Sequence, residues 1–185
     1  KRRKRKKIIY NALSTFYDSM IVSRQKGRIF SLSAVWYYII DYFAFRCANQ
    51  SFIECQAQKN LAVKIFRVNP NKIAVQFVGS DNSQFYFDPD ILKLSQFTVV
   101  FRGSFLPEAG ADVIIRAAKE LEHENVRVRI IGRGLLQKEI EDLIQRIKPT
   151  NVEFITAILP INILRNKMLE CHLSLGQLAN HPRVH

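Results

Sequence analysis

Two short runs carry residue types suited to holding an anion: Arg102-Gly103-Ser104 and Gly132-Arg133-Gly134. Each closes an apolar stretch, FTVVF before the first and VRVRII before the second. Glycine at such a point lets backbone N–H groups come close to a ligand. An arginine beside it can pair with a phosphate. Gly110 opens a helical-period run shortly after Gly103, and a helix amino terminus favours an anion. RGSFLPEAG is therefore a candidate phosphate cradle, to which Arg102 adds charge and Ser104 a hydroxyl. The pattern is neither GxGxxG nor a P-loop, so an ordinary strand-to-helix turn is the competing reading. Gly79-Ser80-Asp81 is a third glycine turn, best read as a turn alone. No carboxylate pair, Ser-His-Asp set or Cys-His set can be assembled from spacing, which leaves the catalytic residues unassigned. His123, His172, His181 and His185 lack metal-ligand spacing, so no metal site is expected.

The elements around these turns alternate. From Phe97 to Leu175, short apolar runs (FTVVFRG, VRVRIIG, NVEFI, HLSL) are separated by runs of helical period (GADVIIRAAKELEHE, GLLQKEIEDLIQRI, INILRNKMLE). That alternation predicts βαβ units and a parallel sheet. Ligands of such sheets bind at the carboxyl ends of the strands, where both glycine turns fall. Ahead of this region, strands are expected over Ile8–Tyr10, Ser51–Cys55 and Lys72–Val78. Helices are expected over Arg28–Asn49, capped by Ser31 or Ser33, and over Ala57–Phe66. Met20–Gly27 reads as a connection, Asn69-Pro70-Asn71 as a turn, and Asn82–Gln96, which lacks periodicity, as a linker. The first helix is rich in aromatics: Trp36, Tyr37, Tyr38, Tyr42, Phe43 and Phe45. A core-facing helix is the favoured reading, with Val35, Tyr38, Ile39, Tyr42, Phe45 and Arg46 at helical spacing. Contact with a membrane interface is the alternative.

Composition sets the outer bounds. A chain of 185 residues, 48% hydrophobic, suffices for one domain or two small ones. The formal charge is +12, and Lys1 to Lys7 form an unbroken basic run. Such a run is a solvated tail, a contact to an anionic membrane surface, or a nucleic-acid or targeting segment. Nucleic acid is the least supported, because no recognition motif accompanies the run. Cys47, Cys55 and Cys171 form no CxxC pair, which suggests reduced thiols in the cytoplasm. The most apolar run, Ala34–Phe45, is interrupted by Asp41 and is shorter than the roughly 20 residues a span needs.

The order TVVFRGSFLPEAGADVIIRAAKELE, VRVRIIGRGLLQKEIEDLI, NVEFITAILPINIL resembles the start of the second lobe of retaining GT-B glycosyltransferases, family 4 or group 1. The stretch from Ser51 to Tyr86 is similar to the end of that family's first lobe, and the resemblance runs from about Tyr10 to Leu175. It implies an α/β fold of two Rossmann-like lobes, each incomplete in this chain. The divisions would be a basic tail at 1–7, first lobe at 8–87, linker at 88–96 and second lobe at 97–185. It further implies transfer of a sugar from a nucleotide-sugar donor, bound as substrate with no separate cofactor, to a glycan or lipid-linked acceptor. Peripheral placement at the inner face of the cytoplasmic membrane, through Lys1–Lys7, would follow.

By the resemblance, Arg102, Gly103, Ser104, Gly110 and Arg133 lie near the donor phosphates. Gly132, Gly134, Ile158 and Leu159 lie near the nucleotide. Two departures stand out. Ser104 and Ala109 occupy positions where many members carry a basic residue and a lysine, so a phosphate clamp would have to come from Arg102 or Arg133. The family's paired glutamates would lie beyond His185, and this stretch alone is expected to be inactive. A non-catalytic binding module derived from such a lobe, and a GT-B nucleotide-sugar epimerase, are the alternative functions.

Overall fold

The computed structural model describes residues 6–24 and 31–180. Lys1–Arg5, Gln25–Phe30 and His181–His185 lie outside it, and with them most of the basic run, Arg28, His181 and His185. The chain divides into two compact units, Lys1–Gly79 and Ser80–His185.

In the first unit, β1 (Ile9–Leu13), β2 (Gln50–Ile53) and β3 (Ile73–Val75) form a parallel sheet in that order. α1 (Leu32–Cys47) and α2 (Gln56–Phe66) connect them. Ser31 caps α1 by accepting from the Ala34 N–H at 3.2 Å. β3 is shorter than its apolar run suggests, because pairing with β2 stops at Val75. Between β1 and α1 the chain forms a π-helical turn, Asp18–Ser23, where the sequence suggests only a connection. The core is aromatic: Tyr10 meets Phe45 edge-on, and Phe45 and Tyr38 pack on Phe66. Burying a ring such as Phe66 contributes roughly 2–3 kcal/mol.

α1 turns Ala34, Asp41 and Phe45 inward, with Tyr38 and Tyr42 partly covered, while Val35, Trp36, Ile39 and Phe43 face out. The core-facing reading thus holds for Tyr38, Tyr42 and Phe45 but not for Val35, Trp36, Ile39 or Phe43. The helix is apolar around its circumference, so spacing alone does not select the buried face. The buried Asp41 accepts from the backbone N–H groups of Phe16 and Tyr17 and from the Tyr10 hydroxyl. It thereby satisfies donors that would otherwise be stranded. Burial pushes its carboxyl above the ordinary range, offset in part by the Tyr17 and Phe16 donors. Burial, with Asp41 alongside, also pushes the Tyr10 hydroxyl up.

In the second unit the sheet is wholly parallel, ordered β6-β5-β4-β7. Its strands are β4 (Phe97–Ser104), β5 (Val126–Arg133), β6 (Val152–Ile155) and β7 (Leu173–Leu175). α3 (Ala111–Glu120), α4 (Gln137–Ile147) and α5 (Ile161–Leu169) alternate with them. Alternate strand residues point to opposite faces. Phe101, Val128 and Ile130 meet Ile114, Ile115, Ala118, Ile140 and Leu143 of α3 and α4. Val100 and Ile131 meet Leu164 on the α5 side. This is a doubly wound arrangement, and its order reverses between β4 and β7. His172 Nδ1 accepts from the Thr98 N–H at 3.1 Å, which ties β7 to β4.

Residues 85–96 carry many contacts of this second unit. Phe85 packs on the cluster around Leu164, and the Arg165 guanidinium lies 4.2 Å from the Tyr86 ring centre. Lys93 Nζ donates to the carbonyls of Leu169 and Cys171 at 2.8 and 2.5 Å. The unit boundary falls at Gly79–Ser80, ahead of the 88–96 linker read from the sequence. Aperiodic sequence conceals contacts made one side chain at a time.

Candidate active site

Because β4 and β5 run in register to their ends, Gly103 lies opposite Gly132 and Ser104 opposite Arg133. The two turns then form one surface. The Phe105 N–H donates to the Arg133 carbonyl at 3.1 Å, and the Leu136 N–H to the Phe105 carbonyl at 3.0 Å. Glycine is a steric requirement at position 132: a Cβ there would lie 2.0 Å from the Gly103 carbonyl oxygen. Both backbones consequently stay bare where they meet.

Above this floor is an open cavity of about 280 Å3. Arg102, Gly103 and Ser104 of β4, Ile131, Gly132 and Arg133 of β5, Thr156–Leu159 after β6, and Leu164 of α5 line it. A second cavity of about 300 Å3 shares Arg102, Gly103 and Ser104 and extends to Glu108, Ala109 and Leu175–Gln177. It occupies the β4/β7 switch point. Arg102 therefore borders both. Arg102 and Arg133 are exposed, and among the described residues neither has an ion-pair partner. Two unpaired guanidinium groups, glycine backbone and the Ser104 hydroxyl suit a phosphate-bearing ligand. Ile131, Ile158, Leu159 and Leu164 add an apolar wall.

Of the residues selected from the sequence, Arg102, Gly103, Ser104, Gly132, Arg133, Ile158 and Leu159 come together around the first cavity. Gly110 and Gly134 are not among its lining residues. Gly110 has a φ of +71° and backs onto Leu178–Ala179, where a Cβ would approach the Ala179 nitrogen to 2.5 Å. Gly134 lies against the Phe105 backbone. Their fit here is to neighbouring chain. Thr156, Ala157 and Leu164 are lining residues that sequence reasoning passed over. Thr156 and Ala157 directly follow β6, and the strand-end logic applied to the glycine turns would have found them. Leu164 carries no such signal.

The wall made by α5 is fixed from below. Arg129 of β5 is buried and donates to Glu153 of β6 at 2.9 Å, Glu170 at 3.0 Å and the Lys167 carbonyl at 2.7 Å. It thus joins two strands to the end of α5. Burial by itself would lower the Arg129 guanidinium, but Glu153 and Glu170 outweigh it and hold it above its ordinary value. Burial raises the Glu153 carboxyl, and Arg129, together with Lys167 and Arg127, outweighs this and holds it below the ordinary range. Among the described residues, no cluster of His, Cys, Asp or Glu is placed to hold a metal ion.

Paired parallel α/β sheets with a site at the strand ends of the second unit define the class, the GT-B glycosyltransferase fold. Its solved relatives agree. HepE of Anabaena, solved with UDP and glucose, matches with a TM-score of 0.68 at 19% identity over 97% of this chain and 49% of its own. TarM of S. aureus, in a complex containing UDP, matches at 0.61 and 16% identity over 84% of this chain and 31% of its own. The pneumococcal O-GlcNAc transferase GtfA, with UDP and GlcNAc, matches at 0.60 and 15% identity over 76% and 28%. The chain therefore spans half or less of the length of these proteins. Among curated proteins none matches the sequence. The family model described as glycosyl transferases group 1 matches residues 83–175, and the chain belongs to that family.

Proposed function

We propose that this chain is the donor-binding part of a retaining, family 4 glycosyltransferase. It would move a sugar from a uridine diphosphate sugar to a glycan or lipid-linked acceptor. The observation that carries the reading is the cavity over the β4 and β5 ends, where Arg102 and Arg133 flank bare glycine backbone. The diphosphate would lie over Gly103 and Gly132, with Arg102 and Arg133 in place of the clamp that Ser104 and Ala109 do not supply. The base would rest near Ile158 and Leu159. Donors fixed in advance at a departing diphosphate stabilise the charge that develops there. UDP is the nucleotide chosen because HepE, TarM and GtfA were each solved with it.

Cytoplasmic placement belongs to the same reading and is supported by three free thiols, Cys47, Cys55 and Cys171. So does a peripheral position on the membrane, supported by the run Lys1–Lys7. No helix of the described residues is long and apolar enough to cross a membrane.

Calorimetric titration with UDP tests the site. Arg133→Ala and Arg102→Ala should each weaken UDP binding about 5- to 10-fold, since a charge-assisted bond at an exposed position is worth roughly 1–1.5 kcal/mol. Unchanged affinity in both variants removes the arginines from the donor site.

A further inference from the structure

α5 is poorly equipped to seat itself. Of its nine residues only Leu164 is buried, and no side chain caps its amino end. Ile161 and Ile163 are exposed. One buried leucine cannot offset the conformational freedom lost in ordering nine residues. Yet Leu164, with the segment Thr156–Leu159 that leads into the helix, makes up much of the wall of the cavity over Gly103 and Gly132. Contacts from outside the helix must hold that wall.

Arg129 supplies some of them at the carboxyl end. Residues 85–94 supply the rest. Phe85 packs on the cluster of Val100, Ile131, Leu164 and Cys171, the same cluster on which Leu159 rests. Ile131, Leu159 and Leu164 all line the cavity. Midway along α5 the Arg165 guanidinium lies 4.2 Å from the Tyr86 ring centre and 4.0 Å from the Asp88 carboxylate. The Arg165 side chain is only 15% exposed, and a cation held over a ring gains strength as water is withdrawn. At the far end Lys93 Nζ donates to the Leu169 and Cys171 carbonyls, and the Leu94 N–H to the Glu170 carbonyl at 3.0 Å. Carbonyls at a helix end lack partners inside the helix, so these bonds fall where they are needed. The strap therefore grips α5 near its start, at its middle and at its end.

We propose that residues 85–94 are a working part of the donor site. Phe85 and Arg165 act as positioning residues: they set donor affinity by fixing α5 and Thr156–Leu159, and neither lines the cavity itself. The proposal rests on the donor reading given above. A division at Phe97, as the sequence suggests, would cut the strap away, whereas the unit boundary at Gly79–Ser80 retains it. The competing role is support of the fold alone, which would lower stability and leave donor affinity intact.

UDP is titrated calorimetrically into the full chain and into Phe85→Ala, Phe85→Leu, Arg165→Ala and Arg165→Lys, below the unfolding transition of each. Phe85→Ala and Arg165→Ala should each weaken UDP binding about 5- to 10-fold, within the range by which residues remote from a ligand modulate its binding. Phe85→Leu keeps an apolar side chain on the cluster, and Arg165→Lys keeps a charge for Tyr86 and Asp88, so both should return to within about twofold of wild type. In the two alanine variants amide exchange should quicken over 156–169 and not over β4 or β5. Wild-type UDP affinity in both, with a lowered urea midpoint, means support of the fold alone and overturns the proposal. Faster exchange throughout the sheet overturns it equally, because the loss is then general loosening. A wild-type chain that binds no UDP removes the donor reading, and exchange then decides: unchanged protection of α5 in both alanine variants overturns the strap's role, and faster exchange confined to 156–169 upholds it.

Discussion

Replacing Gly132 by alanine tests whether the two glycine turns form one surface. The added Cβ would lie 2.0 Å from the Gly103 carbonyl oxygen, 3.0 Å from Phe105 Cε1 and 3.2 Å from the Gly103 carbonyl carbon. An ordinary carbon–oxygen contact is roughly 3.3 Å, so the two backbones would have to part by more than about 1 Å. The obstacle is main chain at the end of an in-register ladder, with fully buried Phe105 behind it, so no side chain can swing aside. Overpacking of this kind costs about 1–3 kcal/mol, and the rigid neighbour argues for the upper half of that range. Urea unfolding of the second unit's transition measures it. Gly176→Ala is the matched control, because nothing lies within 4 Å of a Cβ there, and its midpoint should move by less than about 0.5 kcal/mol equivalent. UDP binding should be lost or sharply weakened in Gly132→Ala even at a urea-free temperature where it is folded. An unfolding midpoint matching that of Gly176→Ala would refute the close approach of β4 and β5 on which the site rests.

Further expectations concern the supports of each unit. Arg129→Met removes the guanidinium shared by Glu153 and Glu170, leaving Glu153 only its longer contacts to Lys167 and Arg127, and should cost about 2–3 kcal/mol, less than a fully buried pair because both carboxylates keep some water. The Glu153 carboxyl is held below its unfolded value, so its contribution is present above the ordinary glutamate pKa and is lost as pH falls through the lowered one. Wild-type stability should thus decline on acidification below about pH 4.5, and Arg129→Met should flatten that decline; parallel pH profiles would exclude the pairing. Asp41→Ala strands the Phe16 and Tyr17 N–H groups and should cost about 2–4 kcal/mol by urea unfolding, with the first unit losing its hydrogen-exchange protection first. A variant as stable as wild type would mean that water replaces the carboxylate.

The strand and helix types could be read from local pattern because that pattern is set by burial. Val128–Ile131 form a short run buried on both faces of the parallel sheet, and Ile114, Ile115 and Ala118 repeat along one side of a helix. The placing of Arg102-Gly103-Ser104 and Gly132-Arg133-Gly134 at strand ends was legible for a similar reason: strand ends and glycines are local features. α1 was legible as a helix but not in its orientation, since apolar residues surround it. The docking of Phe85, Tyr86 and Lys93 onto the second unit was hidden too, because each contact joins residues far apart in sequence.

By itself the sequence determined that βαβ units follow one another, that glycine turns close β4 and β5, and that arginines stand in those turns. Only the tertiary structure decided the strand order β6-β5-β4-β7, hence the reversal beside β4 and the position of Arg102 between two cavities. It also decided that Arg129 joins β5, β6 and α5, and that Leu164 closes the site. The physical reason is the range of the forces concerned. Periodicity records which side of an element avoids water, whereas strand order and long-range ion pairs depend on where each crossover returns the chain.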